Sequence, residues 1–125
     1  MLIVDDAATV RLYYRQVLET AGFAVEEAVN GMEALEKALS RPFDLLVVDV
    51  NMPRMDGYTL LRKVREAPDL RAVPAVMIST EAQAGDARRA YEAGANLYLV
   101  KPVRPEVLAL DVRLMTGVPP GECPK

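Results

Sequence analysis

The sequence predicts an α/β domain, a doubly wound five-stranded parallel sheet built as five βα units. Two observations carry that prediction. Four short, unbroken apolar runs stand out: Leu2-Ile3-Val4, Leu45-Leu46-Val47-Val48, Ala75-Val76-Met77-Ile78 and Leu97-Tyr98-Leu99-Val100. Runs of Val, Ile and Leu without polar alternation suit strands buried on both faces, as in a parallel sheet. Between the runs lie segments with helical spacing, which implies right-handed crossovers and helices on both sheet faces.

The elements follow in order. After the Leu2 strand, Val10, Tyr14, Val17, Leu18 and Ala21 recur at i, i+4, i+7, i+8 and i+11, one face of a helix that stops at Gly22. Phe23 to Val29 reads as a further strand, and Asn30-Gly31 as a turn into a helix carrying Ala34, Leu35, Ala38 and Leu39. Pro42 separates that helix from the Leu45 strand. Tyr58 to Arg65 is a helix ending before Pro68, and Asp86 to Ala93 another, closed by Gly94. Pro105 suits a helix start, and the last helix is expected to run to about Met115. Val118 to Lys125, with three prolines and a glycine, is expected to fray as a tail. The first strand begins at Met1 and is expected to be short, at some cost in stability.

At 125 residues and 51% hydrophobic content the chain forms one domain with a real core. A net charge of −3 provides no basic field, which argues against direct nucleic-acid binding. The single cysteine, Cys123, excludes an internal disulfide and a cysteine-based zinc site. The absence of histidine excludes His-based metal binding and Ser/His/Asp catalysis. No apolar stretch approaches the ~20 residues needed to span a bilayer, and no signal-peptide pattern opens the chain. A cytoplasmic protein is expected.

Each apolar run ends on residues able to handle phosphate or metal: Asp5-Asp6, Asp49, Ser79-Thr80 and Lys101-Pro102. Parallel strands place their carboxyl ends along one edge, where open α/β sheets bind ligands. Taken singly, each pair has an ordinary reading as a turn or a helix cap. Together at four strand ends they read as a site. Three carboxylates about 5 Å apart repel by roughly 3 kcal/mol per pair at an effective dielectric near 20. A positive group must therefore share the rim, or protons must be taken up. Lys101 supplies one charge, and an all-oxygen ligand set selects a hard divalent cation, Mg²⁺ or Mn²⁺ in its place. Such a cation beside a carboxylate, a hydroxyl and a lysine makes a receptacle for a phosphoryl group.

These residues resemble the receiver domain of two-component response regulators, in particular the stand-alone, CheY-like type. The resemblance rests on Ile3-Val4-Asp5-Asp6, Val48-Asp49-Val50-Asn51-Met52-Pro53, Met55-Asp56-Gly57, Ser79, Ala93-Gly94-Ala95 and Lys101-Pro102, with Asn30-Gly31 and Glu33-Ala34-Leu35 also fitting. It implies a flavodoxin-like sheet of strand order 2-1-3-4-5. It implies a receiver, or phosphoacceptor, domain over residues 1–117 and a disordered tail over 118–125.

The resemblance also implies roles. Asp49 would be the phosphoacceptor, attacking a phosphohistidine on a cognate histidine kinase or phosphotransfer protein. Asp6, Asp49 and the backbone carbonyl of Asn51 would ligate Mg²⁺, with Asp5 acting through water. Lys101 would pair with the phosphoryl oxygens and Ser79 would hydrogen-bond one of them. Tyr98 matches the aromatic switch position, and Asn51 and Glu81 the positions that tune dephosphorylation. Pro102 and Gly57 would set backbone geometry, Pro102 through a cis peptide.

Output is expected as binding of a downstream protein to the face of the last two helices and the Tyr98 strand. The last helix is more apolar than one sheet face requires. Either it packs deeply or it presents a patch for dimerisation or an effector, with Leu108 and Val112 as the residues that decide. A receiver excised from a hybrid kinase or transcription factor is the main alternative, although the short tail favours a free-standing protein. A haloacid-dehalogenase-type phosphatase would need a second aspartate where Asn51 stands. A flavodoxin-like FMN carrier would need a hydroxyl- and glycine-rich loop where Asp5-Asp6-Ala7-Ala8 stands.

Overall fold

In the computed structural model, which describes residues 1–50, 52, 55–80, 84–101 and 103–116, strands and helices alternate without exception. The order is β1 (Leu2–Val4), α1 (Ala8–Thr20), β2 (Glu26–Ala28), α2 (Gly31–Ser40), β3 (Leu46–Asp49), α3 (Gly57–Glu66), β4 (Ala75–Ser79), α4 (Ala84–Ala93), β5 (Leu97–Val100) and α5 (Pro105–Thr116). All pairings are parallel, and the sheet order is β2-β1-β3-β4-β5. The anticipated architecture and strand order are those observed.

The sheet divides two cores, because strand residues alternate between its faces. Leu2, Val4, Leu46, Val48 and Met77 pack on one side with Leu60, Leu61 and Val64 of α3 and Ala34 and Ala38 of α2. Ile3, Val47, Val76 and Ile78 pack on the other with Tyr14 and Leu18 of α1 and Leu108 and Val112 of α5. Both faces are covered, so β1, β3 and β4 carry no alternation for sequence to show.

The helix ends follow local chemistry. The Asn30 side chain accepts the Glu33 N–H at 2.8 Å, and Asp56 accepts the Thr59 N–H at 2.8 Å, capping α2 and α3. Gly22 and Gly94 hold positive φ, 98° and 117°, and end α1 and α4.

One expectation needs correction, and one open alternative is decided. The second strand spans Glu26–Ala28, not Phe23 to Val29. As an edge strand it pairs only with β1, whose three residues offer three partners: Leu2 with Glu26, Ile3 with Glu27 and Val4 with Ala28. Phe23 and Val25 are buried ahead of the pairing, and Val29 is exposed beyond it. On α5, Leu108 and Val112 are fully buried and belong to the core, so they present nothing to a partner. The outward apolar residues are Val107, Leu110 and Leu114. The proposed tail over 118–125 lies outside the described residues.

Candidate functional site

The strand register brings the polar ends together. Val4 is level with Val48, Asp49 with Ile78, and Ser79 with Val100. The residues that follow or close these strands therefore meet at one edge. Asp5, Asp49 and Ser79 are the buried polar side chains among the described residues, while Asp6 is exposed. Carboxylate oxygens of Asp5, Asp6 and Asp49 lie within 4.8 Å of one another.

Lys101 closes the cluster. Its Nζ donates to Asp49 Oδ1 at 3.1 Å and lies 3.8 Å from Asp5 Oδ2. Its backbone N–H donates to the Ser79 carbonyl at 2.7 Å, which ties the lysine to the end of β4. Asp5 Oδ1 accepts the N–H of Ala7, the residue that precedes α1, at 2.9 Å. Asp5 Oδ2 is buried and has no hydrogen-bond partner. Burial pushes the Asp5 carboxyl above its ordinary range, and the Asp49 charge adds to the rise, against Ala7 and Lys101.

Lys101 offsets one of the three carboxylate charges, and a buried oxygen with no hydrogen bond that faces two further carboxylates stays costly unless a second cation occupies the space between them. The donors are all oxygen, which fits a hard divalent cation such as Mg²⁺.

Gly57 has a steric reason to be glycine. A Cβ there would lie 2.6 Å from the Asp49 backbone oxygen and 2.8 Å from Met77 Cε. The start of α3 can pass that close to the end of β3 only without a side chain. Tyr98 is half-buried on β5 and packs against the core that contains Met77. Because Met77 pairs with Tyr98 and Ser79 with Val100, Ser79 and Tyr98 share one sheet face.

Asp5, Asp6, Asp49, Ser79 and Lys101 are thus brought to one rim as expected from strand ends, with Tyr98 one strand away. Asn51, Glu81 and Pro102 lie outside the described residues. Sequence reasoning passed over Arg11, whose Nη1 donates to the Asp5 carbonyl at 2.7 Å. Arg11 sits on the polar side of α1, and the apolar spacing used to find that helix is blind to it. It also passed over Tyr14, read only as core. Tyr14 is buried near the acidic pair, and burial together with the Asp5 and Asp49 charges raises its hydroxyl far above the ordinary tyrosine range.

The chain matches the response regulator receiver domain model over residues 1–113. It is 36% identical over 115 residues to the transcriptional regulatory protein ResD of Bacillus subtilis, covering 92% of this chain and 47% of ResD. It is 41% identical over 108 residues to the sensor protein EvgS of Escherichia coli, covering 86% of this chain but 9% of EvgS. It is 37% identical to the chemotaxis protein CheY1 of Helicobacter pylori, covering 94% of this chain and 96% of CheY1. The chain thus spans under half the length of ResD and nearly all of CheY1.

Among solved structures, it superposes on the chemotaxis protein CheY4 of Vibrio cholerae with a TM-score of 0.86 at 36% identity, covering 91% of this chain and 95% of that one. It superposes equally well, with a TM-score of 0.86 at 28% identity over 93% of this chain and 95% of the other, on the receiver domain of a sensor histidine kinase from Pseudomonas aeruginosa. That structure has a magnesium ion coordinated in its active site cleft.

Proposed function

The chain belongs to the response regulator receiver domain family, and on that premise we propose that Asp49 accepts a phosphoryl group from a partner histidine kinase or phosphotransfer protein. The observation that carries the assignment is the pairing of Lys101 Nζ with Asp49 Oδ1 at 3.1 Å beside the buried Asp5 oxygen that has no hydrogen bond. In the transfer, an Asp49 oxygen forms the bond to phosphorus while the bond from phosphorus to the donor's imidazole nitrogen breaks, and that nitrogen takes up a proton. Asp5, Asp6 and Asp49 would hold Mg²⁺, which when bound supplies the positive charge that offsets the phosphoryl oxygens. Lys101 holds Asp49 and turns its ammonium to a phosphoryl oxygen once one arrives. Ser79, at the end of β4, offers its hydroxyl to another.

The readout is a change in protein binding, set through Ser79 and Tyr98 on their shared sheet face. Membership of this family displaces the phosphatase and flavin-carrier alternatives. No helix among the described residues is long and apolar enough to cross a membrane. Incubation with acetyl phosphate and Mg²⁺ is expected to add one acid-labile phosphoryl group, read by intact-mass measurement. Asp49→Asn is expected to abolish it, and undiminished labelling of that variant would refute the assignment.

A further inference from the structure

Asp5 is anchored through its main chain by residues that are not part of the acidic rim. Its N–H donates to the Ala28 carbonyl of β2 at 3.2 Å. Its carbonyl, just past the end of β1, accepts Arg11 Nη1 at 2.7 Å. Arg11 is itself fixed: its Nε donates to Glu27 Oε1 at 3.0 Å, and its side chain is only 13% exposed. Glu27 on β2 takes Arg15 Nη1 on its other oxygen at 2.7 Å, and its backbone carbonyl takes Lys37 Nζ at 2.6 Å. One guanidinium therefore ties the chain leaving β1 to the neighbouring strand, at the residue whose Oδ2 is buried without a hydrogen bond.

A guanidinium beside an acidic cluster acts on a divalent cation in two opposed ways. Its charge repels the ion. Its hydrogen bond fixes the backbone from which a carboxylate meets the ion, as partners behind metal ligands generally do. Glu27 and Glu19 together balance Arg11 and Arg15, Arg15 reaching Glu19 Oε1 at 3.2 Å, so the first effect is offset and the second is left. We infer that Arg11, ion-paired with Glu27, is a positioning residue for a divalent cation held by Asp5, Asp6 and Asp49. The inference rests on the proposed reading of that cluster as the cation-binding half of the phosphoryl site.

The two effects differ in sign, so a binding experiment separates them. Mg²⁺ is titrated into the full chain by calorimetry at low and high salt, with melting temperatures taken without Mg²⁺. Arg11→Met is expected to weaken binding about tenfold, a typical cost for losing such a partner, at both salt concentrations. Arg11→Lys, which keeps the charge and can reach the carbonyl or Glu27, is expected to recover part of the affinity. Glu27→Gln leaves the Arg11 charge uncompensated, so it is expected to weaken binding at low salt and to regain affinity at high salt. Tighter binding by Arg11→Met would mean that Arg11 is only a nearby charge, and would overturn the inference. Unchanged affinity with a lower melting temperature would overturn it too, because Arg11 would then serve the fold alone. If the parent chain binds no Mg²⁺, the reading of the cluster itself fails and the inference with it.

Discussion

Glu27 shows how much a single side chain can organise at the edge of a sheet. Its two oxygens accept from Arg15 and Arg11, and these hydrogen bonds hold its carboxyl below the ordinary range of 4.5, Arg15 contributing most. A carboxyl whose folded value is depressed stabilises the native state above the unfolded value, and loses that contribution as pH falls through the folded one. The contribution of Glu27 is therefore expected to be intact at neutral pH and to fade below about pH 4.5. The pair is partly exposed, so solvent screening keeps it small. Glu27→Gln is expected to flatten that part of the acid limb in urea unfolding measured pH by pH. An acid limb as steep as that of the parent would show that Glu27 titrates alike in both states.

Among the elements, the loops at the amino ends of the strands depend on Arg65. From the last turn of α3 its Nε and Nη2 donate to the Gly94 carbonyl at 3.0 and 2.8 Å, Nη1 to the Val73 carbonyl at 2.6 Å, and Nη2 to Asn96 Oδ1 at 3.1 Å. Gly94, at φ 117°, leaves room for this: a Cβ there would lie 2.6 Å from Arg65 Cγ. Arg65→Met strands several carbonyls and is expected to cost about 2–3 kcal/mol in chemical denaturation, with Asp49 labelling retained. A loss below about 0.5 kcal/mol would mean that water replaces these bonds freely. None of this was legible in the sequence, where Arg65 was simply the last residue of a predicted helix. Its partners lie in the loop that leads into β4 and in the loop between α4 and β5, and no local spacing announces a contact across 29 positions. The five acidic, hydroxyl and lysine positions were legible because each stands directly after a buried apolar run, and parallel topology does the rest. The second strand was overextended because Phe23 and Val25 are apolar and buried, which periodicity reads as strand. Only the shortness of β1 limits the pairing.

Across the whole molecule, the site and the outer face of β5 are linked by a single strand-to-strand step. Ser79 closes β4, and Tyr98 lies two residues before Val100, its partner on β5. On the proposed reading, a phosphoryl oxygen would draw in the Ser79 hydroxyl and free space on the face that Tyr98 shares. The shift can be no larger than the difference in phosphate binding between the two arrangements, and a reversal from 1:99 to 99:1 needs about 5.5 kcal/mol. Partial switching is therefore expected. Beryllofluoride with Mg²⁺ is expected to move the NMR signals of Tyr98, α4 and α5, and Ser79→Ala to suppress those shifts while Asp49 still accepts phosphate. Equal shifts in that variant would sink the coupling. On α5 the surface available to respond would include Leu110 and Leu114, which are exposed, and not Leu108 and Val112, which are core.

The parallel sheet has one edge of strand carboxyl ends and one of amino ends, and the two carry opposite demands. The first crowds like charges, buries an oxygen with no hydrogen bond and forbids a side chain at position 57. The second is stitched by Arg65. Heritable change should be sorted accordingly. A population selected for heat resistance alone gains by discarding the acidic triad, because stability and activity trade against each other at such sites. One selected for heat resistance and signalling together has to find its gains at the opposite edge. The aspartates would then persist through generations as the least stable acceptable answer, and the loops around Arg65 would record the history of the temperatures the lineage has met.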